Sequence, residues 1–245
     1  MYRKLAELLK NNKPAALATL VAGEQTGAKM LITNEGVVDG SIHAQLDARI
    51  ADDAIVLLAN EQSSLKHYSL ANAAFDVFIE TFPPPQHLII MGGVHVAIPL
   101  HRIAKLLGYH VTVVDARGML ATPERFPEAD SVMVEWPDEA LATLHLDSGT
   151  SVVVLTHDPK FDYPALLAAI QSPARYVGAI GSKNTNSKRM EALREMGATT
   201  EQLARIFAPV GLDLGGKSPS EIALAVMAEI VAQRYSRGGG HLKKP

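Results

Sequence analysis

The chain has no cysteine among its 245 residues. That excludes disulfides, thiolate metal sites, iron–sulfur clusters and a cysteine nucleophile, and it means the chain cannot carry a persulfide of its own. Basic charge is not in excess. The 23 Lys and Arg residues against 26 Asp and Glu give −3, so neither nucleic acid nor an anionic membrane surface is an expected partner. No long apolar run occurs. The longest helical apolar block, Ile222 to Ala228, stops at Glu229, far short of a bilayer span. The opening residues, MYRKLAELLKNNKP, read as an amphipathic helix rather than the apolar core of a secretory signal. The expectation is a soluble cytoplasmic protein. There is no repeat of solenoid length. There is also no HxxxH or HxH pattern, so no metal site is expected.

What is present is ample apolar material: 47% hydrophobic against 20% charged residues, enough for a real core. The length allows one large domain or two small ones. The organising stretch runs from His87 to Arg117. Leu88 to Met91 is an apolar run of strand length, followed at once by Gly92 and Gly93. Val96, Ile98, Leu100, Ile103, Leu106 and Leu107 then recur at helical spacing, and Gly108 stops the helix. Val111 to Val114 is a second strand, ending at Asp115. The whole is a βαβ unit.

Such a unit binds nucleotides for a physical reason. Glycines let backbone amides approach a phosphate, and a helix N-terminus offers free N–H groups and a positive dipole end. An acid closing the second strand can bond a ribose hydroxyl. Asp115 lies 23 residues after Gly92 (115 − 92), close to the spacing of a dinucleotide fingerprint. The six residues from Gly92 read GGVHVA, so Val94 places a branched side chain where a pyrophosphate would come close. The plainer alternative is two glycines that only turn a corner.

Around this unit the patterning changes. Residues 2–10 predict a helix, 16–21 and 29–33 strands, 42–60 a helix, and 65–69 and 75–81 further strands. Asn34-Glu35-Gly36 and Asp39-Gly40 read as turns. Pro83-Pro84-Pro85 favours a stiff connector. The expected division is a small α+β domain over 1–85, a Rossmann-like domain over 86–236 and a flexible tail over 237–245. Beyond Arg117 strands alternate with helices: strands at 131–134, 152–155 and 176–180, helices at 138–144, 164–171, 184–196 and 200–207. That alternation predicts a doubly wound, mostly parallel α/β sheet covered on both faces. Ser218-Pro219-Ser220-Glu221 is a capping box with proline at the first helical position. The helix it opens is apolar almost all round and is expected to be buried.

Ligands of open parallel sheets bind at the carboxyl ends of the strands. Four polar loops follow strands there: Gly92 to His95, Asp115 to Arg117, Thr156 to Asp158, and Gly181 to Lys183. The glycine-rich loop Gly211 to Lys217, with Asp213 and Gly215, precedes a helix and joins them as a candidate. His95, in the first turn of a helix, either donates to phosphate or packs. His157 and Asp158 read as a binding pair, as an acid–base pair or metal fragment, or, more plainly, as a polar residue beside a cap for the turn before Pro159. Gly181-Ser182-Lys183 resembles an anion-binding turn with a cation beside it, or an ordinary helix start. Lys188, Arg189 and Arg194 read as a solvated helical face.

Taken together, IIMGGVHVA, VTVVDARGMLATPERFPEAD, VVVLTHDPKFDYPALLAAI, YVGAIGSKN and APVGLDLGGKSPSEIALAVMAEIVA resemble the XdhC/CoxI family, the xanthine dehydrogenase accessory factors. The resemblance covers residues 75–235 and is most specific in THDPKFD and GLDLGGKSPSEIA. It implies a Rossmann-type C-terminal domain behind a smaller N-terminal one. It also implies a non-catalytic maturation factor that binds molybdenum cofactor, as molybdopterin or its dinucleotide form, supports its sulfuration and helps insert it into a molybdenum hydroxylase. The implied partners are that apoenzyme and a cysteine desulfurase, and a homo-oligomer is the expected assembly. The matching site positions are Gly92, His95, Asp115, Arg117, Thr156, His157, Asp158, Gly181, Ser182 and the Gly211 to Gly215 loop. Gly93 and Lys183 join them from the loop reading above. Two departures mark a divergent member. DGSIHAQLD, from Asp39, lacks the family's paired glycines and cysteine, and GGVH stands for the family's GxGH turn. The alternatives from other classes are an NAD(P)-dependent oxidoreductase using Asp115 for the ribose, and a nucleotide-sensing Rossmann module.

Overall fold

The computed structural model describes residues 1–70 and 73–243. The chain folds as two compact units, divided between Pro84 and Pro85.

In the first unit, helix α1 (Tyr2–Lys10) is followed by strands β1 (Ala15–Ala22), β2 (Lys29–Thr33) and β3 (Gly36–Gly40), helix α2 (Asp47–Ala59), and strands β4 (Ser64–Leu70) and β5 (Ala73–Phe82). The strands form one antiparallel sheet in the order β3-β2-β1-β5-β4. Period-two alternation along β1 serves both faces. Ala16, Ala18 and Leu20 pack with Ile50, Ala54 and Leu57 of α2, while Ala15 and Leu17 pack with Leu5 of α1. Two sequence expectations are corrected here. Asp39-Gly40 is not a turn but the end of β3, an edge strand whose Val37 and Val38 are exposed. The helix begins at Asp47 rather than Ile42, because the Asp47 carboxylate accepts the N–H groups of Ile42 and His43, both at 2.9 Å, and the Ser41 hydroxyl at 2.5 Å. Those bonds hold 41–46 as a loop.

The second unit runs β6 (His87–Met91), α3 (Ala97–Leu106), β7 (His110–Val114), β8 (Ser131–Met133), α4 (Pro137–Thr143), β9 (Thr150–Val154), α5 (Pro159–Gln171), β10 (Tyr176–Ala179), α6 (Lys183–Glu195), α7 (Thr200–Leu203), β11 (Ile206–Phe207) and α8 (Pro219–Arg234). Its six strands are parallel in the order β11-β10-β9-β6-β7-β8. The order reverses between β6 and β9, which makes their carboxyl ends the switch point of a doubly wound, Rossmann-type sheet. One face buries Leu88, Ile90, Val111 and Val153 against α3 and α8, with Leu100, Val226 and Met227. The other buries Ile89, Met91, Val152 and Val154 against α4, α5 and α6, with Leu141, Leu166 and Leu193. Registers Met91↔Val114, Met91↔Val154 and Ala179↔Val154 bring four strand ends to one level.

Two further corrections belong to this unit. The helix expected over 200–207 stops at Leu203, and Ile206-Phe207 pairs with β10 as an edge strand. There the Phe207 ring stacks on Tyr176 at 4.9 Å. Helix α8 is not buried all round: its buried stripe is Ala223, Val226, Met227, Ile230 and Ala232, and Leu224 is 51% exposed. The Ser218 capping box is present. The segment expected as a flexible tail is described as far as Lys243, with the Arg237 N–H donating to the Ala232 carbonyl at 2.7 Å. Its last two residues, 244 and 245, lie outside the described residues.

Candidate functional site

The loops after β7, β6, β9 and β10 stand side by side at the carboxyl edge of the parallel sheet. Gly92 adopts φ +110°, a region open to glycine, and its N–H donates to the Val114 carbonyl at 2.7 Å. A Cβ at Gly92 would lie 2.6 Å from Thr156 Cγ2 and 3.1 Å from its backbone nitrogen, so a side chain there would press on the loop after β9. A Cβ at Gly93 would collide with the Leu120 backbone. Both glycines therefore serve close packing of the chain against itself.

Asp115 is buried at the end of β7 and accepts four hydrogen bonds. The Gly93 N–H reaches Oδ2 at 2.8 Å and the Arg117 N–H reaches Oδ1 at 2.9 Å. The Arg117 guanidinium binds both oxygens at 2.8 Å, through Nε and Nη2. Burial alone would raise this carboxyl, but the Arg117 guanidinium and the two N–H groups outweigh it and hold Asp115 below its ordinary value. Asp115 in turn raises Arg117, and Asp158 adds to the effect. The Arg117 side chain remains 41% exposed and lies over the Phe161 ring at 5.6 Å. Since β6 sits between β7 and β9, this contact crosses the end of β6 and ties the loop after β7 to the first turn of α5.

Beyond it, Phe161 meets Trp136, from the loop after β8, with ring centroids 5.0 Å apart. Lys160 lies over the Trp136 ring at 4.6 Å. On the other side of the glycine turn, Arg125 Nη2 donates to the Gly93 carbonyl at 2.8 Å, and its buried Nε has no partner among the described residues.

Under the loops after β9 and β10 lies a buried polar network. The Thr156 hydroxyl donates to Asp162. Arg189 donates to Asp162 through Nη2 at 2.5 Å and, through Nη1, to the Ile180 carbonyl at 2.9 Å and to the Asn186 side chain. Burial raises the Asp162 carboxyl against the pull of Thr156 and Arg189. This corrects the reading of Lys188, Arg189 and Arg194 as one solvated face. Lys188 and Arg194 are exposed, but Arg189 is only 1% exposed. Gly181, at φ +137°, passes over it, and a Cβ there would lie 3.6 Å from Arg189 Nη1.

The structure thus joins Gly92 to Thr156, Gly93 to Asp115 and Arg117, and Gly181 through Arg189 and Asp162 to Thr156. Asp158 caps α5, accepting the Lys160 N–H at 3.0 Å. Ser182 caps α6, accepting the Thr185 N–H at 3.1 Å. His95, His157, Lys183, Asp213 and Gly215 are exposed and none is bonded to these clusters. The Gly211 to Lys217 loop runs instead along α8, with the Gly211 N–H on Glu229 at 2.9 Å. Sequence reasoning missed Arg125, Trp136, Lys160, Phe161 and Arg189. Among the described residues no group of three or more His, Cys, Asp and Glu side chains could hold a metal ion. The donors of the edge suit an anion instead: exposed Arg117 and Lys160, and the N-terminus of α6 beside Lys183.

Comparisons with known proteins agree with this architecture. A curated Escherichia coli protein, YqeB, described as uncharacterized, is 27% identical across the full chain. A Bacillus subtilis protein described as a probable xanthine dehydrogenase component is 28% identical over 65% of it. The E. coli molybdenum cofactor insertion chaperone PaoD is 36% identical over 39% of it. The chain spans 48%, 46% and 30% of these three relatives, less than half of each. A crystal structure titled as a xanthine dehydrogenase from Bacillus halodurans shares the fold, with TM-score 0.55, 19% identity, and coverage of 98% of this chain and 97% of that one. The XdhC Rossmann domain matches residues 88–230, and the XdhC and CoxI family matches residues 8–69. With more than half of its length in the first match and its first unit in the second, the chain belongs to the XdhC and CoxI family.

Proposed function

We propose that this protein is an accessory factor that binds molybdenum cofactor and hands it to the apoenzyme of a xanthine dehydrogenase-type molybdenum hydroxylase in the cytoplasm. The observation that carries the reading is the carboxyl edge at the switch point, where Arg117 stays open to solvent while holding a buried carboxylate. Lys160 opens α5 after β9, and α6 begins after β10 on the same edge. An anionic pterin suits such an edge, and PaoD, which matches 39% of the chain, is named for inserting this cofactor. Binding, shielding and handover require no turnover. With no cysteine in the chain, sulfur for the bound cofactor would come from a cysteine desulfurase acting on the complex. Among the described residues no helix is long and apolar enough to cross a membrane.

The rival reading, an NAD(P)-dependent oxidoreductase, needs the Asp115 carboxylate for a ribose hydroxyl. All four acceptor positions of that buried carboxylate are filled by the chain itself, which weighs against it. The deciding experiment loads the purified protein with molybdenum cofactor and adds cofactor-free hydroxylase. Recovery of hydroxylase activity faster than with free cofactor is expected. Tight NAD binding with no retention of the cofactor would overturn the proposal.

A further inference from the structure

Resting on that reading, we infer that Arg117 is the specificity residue of the site and that it receives a phosphate monoester rather than the diol end of a dinucleotide. In the dinucleotide arrangement, a strand-end acid takes the ribose hydroxyl and glycine amides take the pyrophosphate. Here both devices are already in use. The Asp115 carboxylate holds four donors. The Gly92 N–H binds the Val114 carbonyl, the Gly93 N–H binds Asp115, and the space over Gly93 is filled by Leu120.

What the edge offers in their place is a held cation. Two guanidinium nitrogens of Arg117 grip Asp115, and the guanidinium carbon lies over the Phe161 ring. Its Nη1 makes no hydrogen bond among the described residues, and the side chain is substantially exposed. A guanidinium fixed on one side and open on the other is pre-organised for bidentate or charge-assisted contact with phosphate oxygens. Arg117 and Lys160 are exposed cations on this edge, and Asp115 with Asp158 keeps Arg117 firmly protonated. A phosphate monoester carries more charge at one end than a bridging diester does, and it gains most from this arrangement.

The test uses the full chain and four probes: 6-hydroxymethylpterin phosphate, the same pterin without phosphate, NAD and NADP. Binding is read from the emission of Trp136, the only tryptophan, which touches Phe161. The phosphorylated pterin is expected to bind about ten- to hundredfold more tightly than the bare pterin. Arg117→Gln should erase that ratio, Arg117→Lys should restore part of it, and exposed Lys188→Ala should leave it unchanged. An unchanged ratio in Arg117→Gln, with thermal unfolding showing the variant folded, overturns the inference. So does NAD binding as tightly as NADP, which would mean that the phosphate monoester contributes nothing to binding. If neither pterin binds, the cofactor reading fails while the subsite is still decided by inorganic phosphate. Phosphorus NMR line broadening that depends on Arg117 upholds it, and broadening equal in Arg117→Gln refutes it.

Discussion

Replacing Arg189 with methionine should destabilise the second unit severely, although the residue lies in a helix whose sequence is largely polar. The guanidinium and the Asp162 carboxylate are each 2% exposed and 2.5 Å apart. Removing one partner of a buried pair strands the other charge, which typically costs about 3–5 kcal/mol. Two further bonds vanish, to the Ile180 carbonyl and to Asn186, but the methionine stem recovers some packing, so about 4 kcal/mol is the working figure. For a unit of this size that is a fall of about 10 °C in Tm. Differential scanning calorimetry of the single variants and of Arg189→Met with Asp162→Leu closes a double-mutant cycle. The double variant should recover much of the loss, because two apolar groups leave no orphaned charge. A fall of under about 3 °C in Arg189→Met, or a double variant that loses the sum of both singles, would show that the pair is not a buried ion pair at all.

Two other outcomes are open to measurement. Ser218→Ala should cost about 1 kcal/mol in urea unfolding, since its hydroxyl caps α8 by accepting the Glu221 N–H at 3.3 Å, and Ser218→Thr should recover most of it. The His87 imidazole is held down to about 4 by burial and then by His110. The unfolded chain therefore takes up a proton near pH 6.5 that the folded chain refuses, so stability should be flat above pH 6.5 and fall between pH 6.5 and 4. The full difference corresponds to about 3 kcal/mol, which solvent at the half-buried ring reduces to about 1–2 kcal/mol. His87→Gln should flatten that part of the pH profile, and an unchanged slope would assign the acid sensitivity elsewhere.

The β6-α3-β7 unit was legible because its strands are uninterrupted apolar runs and a glycine stops its helix. The capping box of α8 was legible because its four residues are a local code. β3 was hidden since its two valines face solvent between glycines, and β11 since two residues carry no period. Arg189 was misread from composition alone. Its spacing held the signal: Asn186, Arg189 and Leu193 are the buried positions of α6, and they recur at the three- and four-residue intervals of a single helix face. Asp115 was found from its distance to Gly92, but the sequence could not tell that Arg117, two residues on, would occupy it.

The strand order has a consequence during synthesis. β6 finds one neighbour, β7, almost at once, but its other neighbour is β9, whose first residue, Thr150, follows Met91 by 59 residues (150 − 91). At about 5–20 residues per second the nascent chain waits roughly 3–12 seconds with one flank of Leu88 to Met91 unpaired. A central strand of the finished sheet is, for that interval, an open edge leaving the ribosome, and it is the segment that a ribosome-bound chaperone, or a neighbouring nascent copy, would meet first.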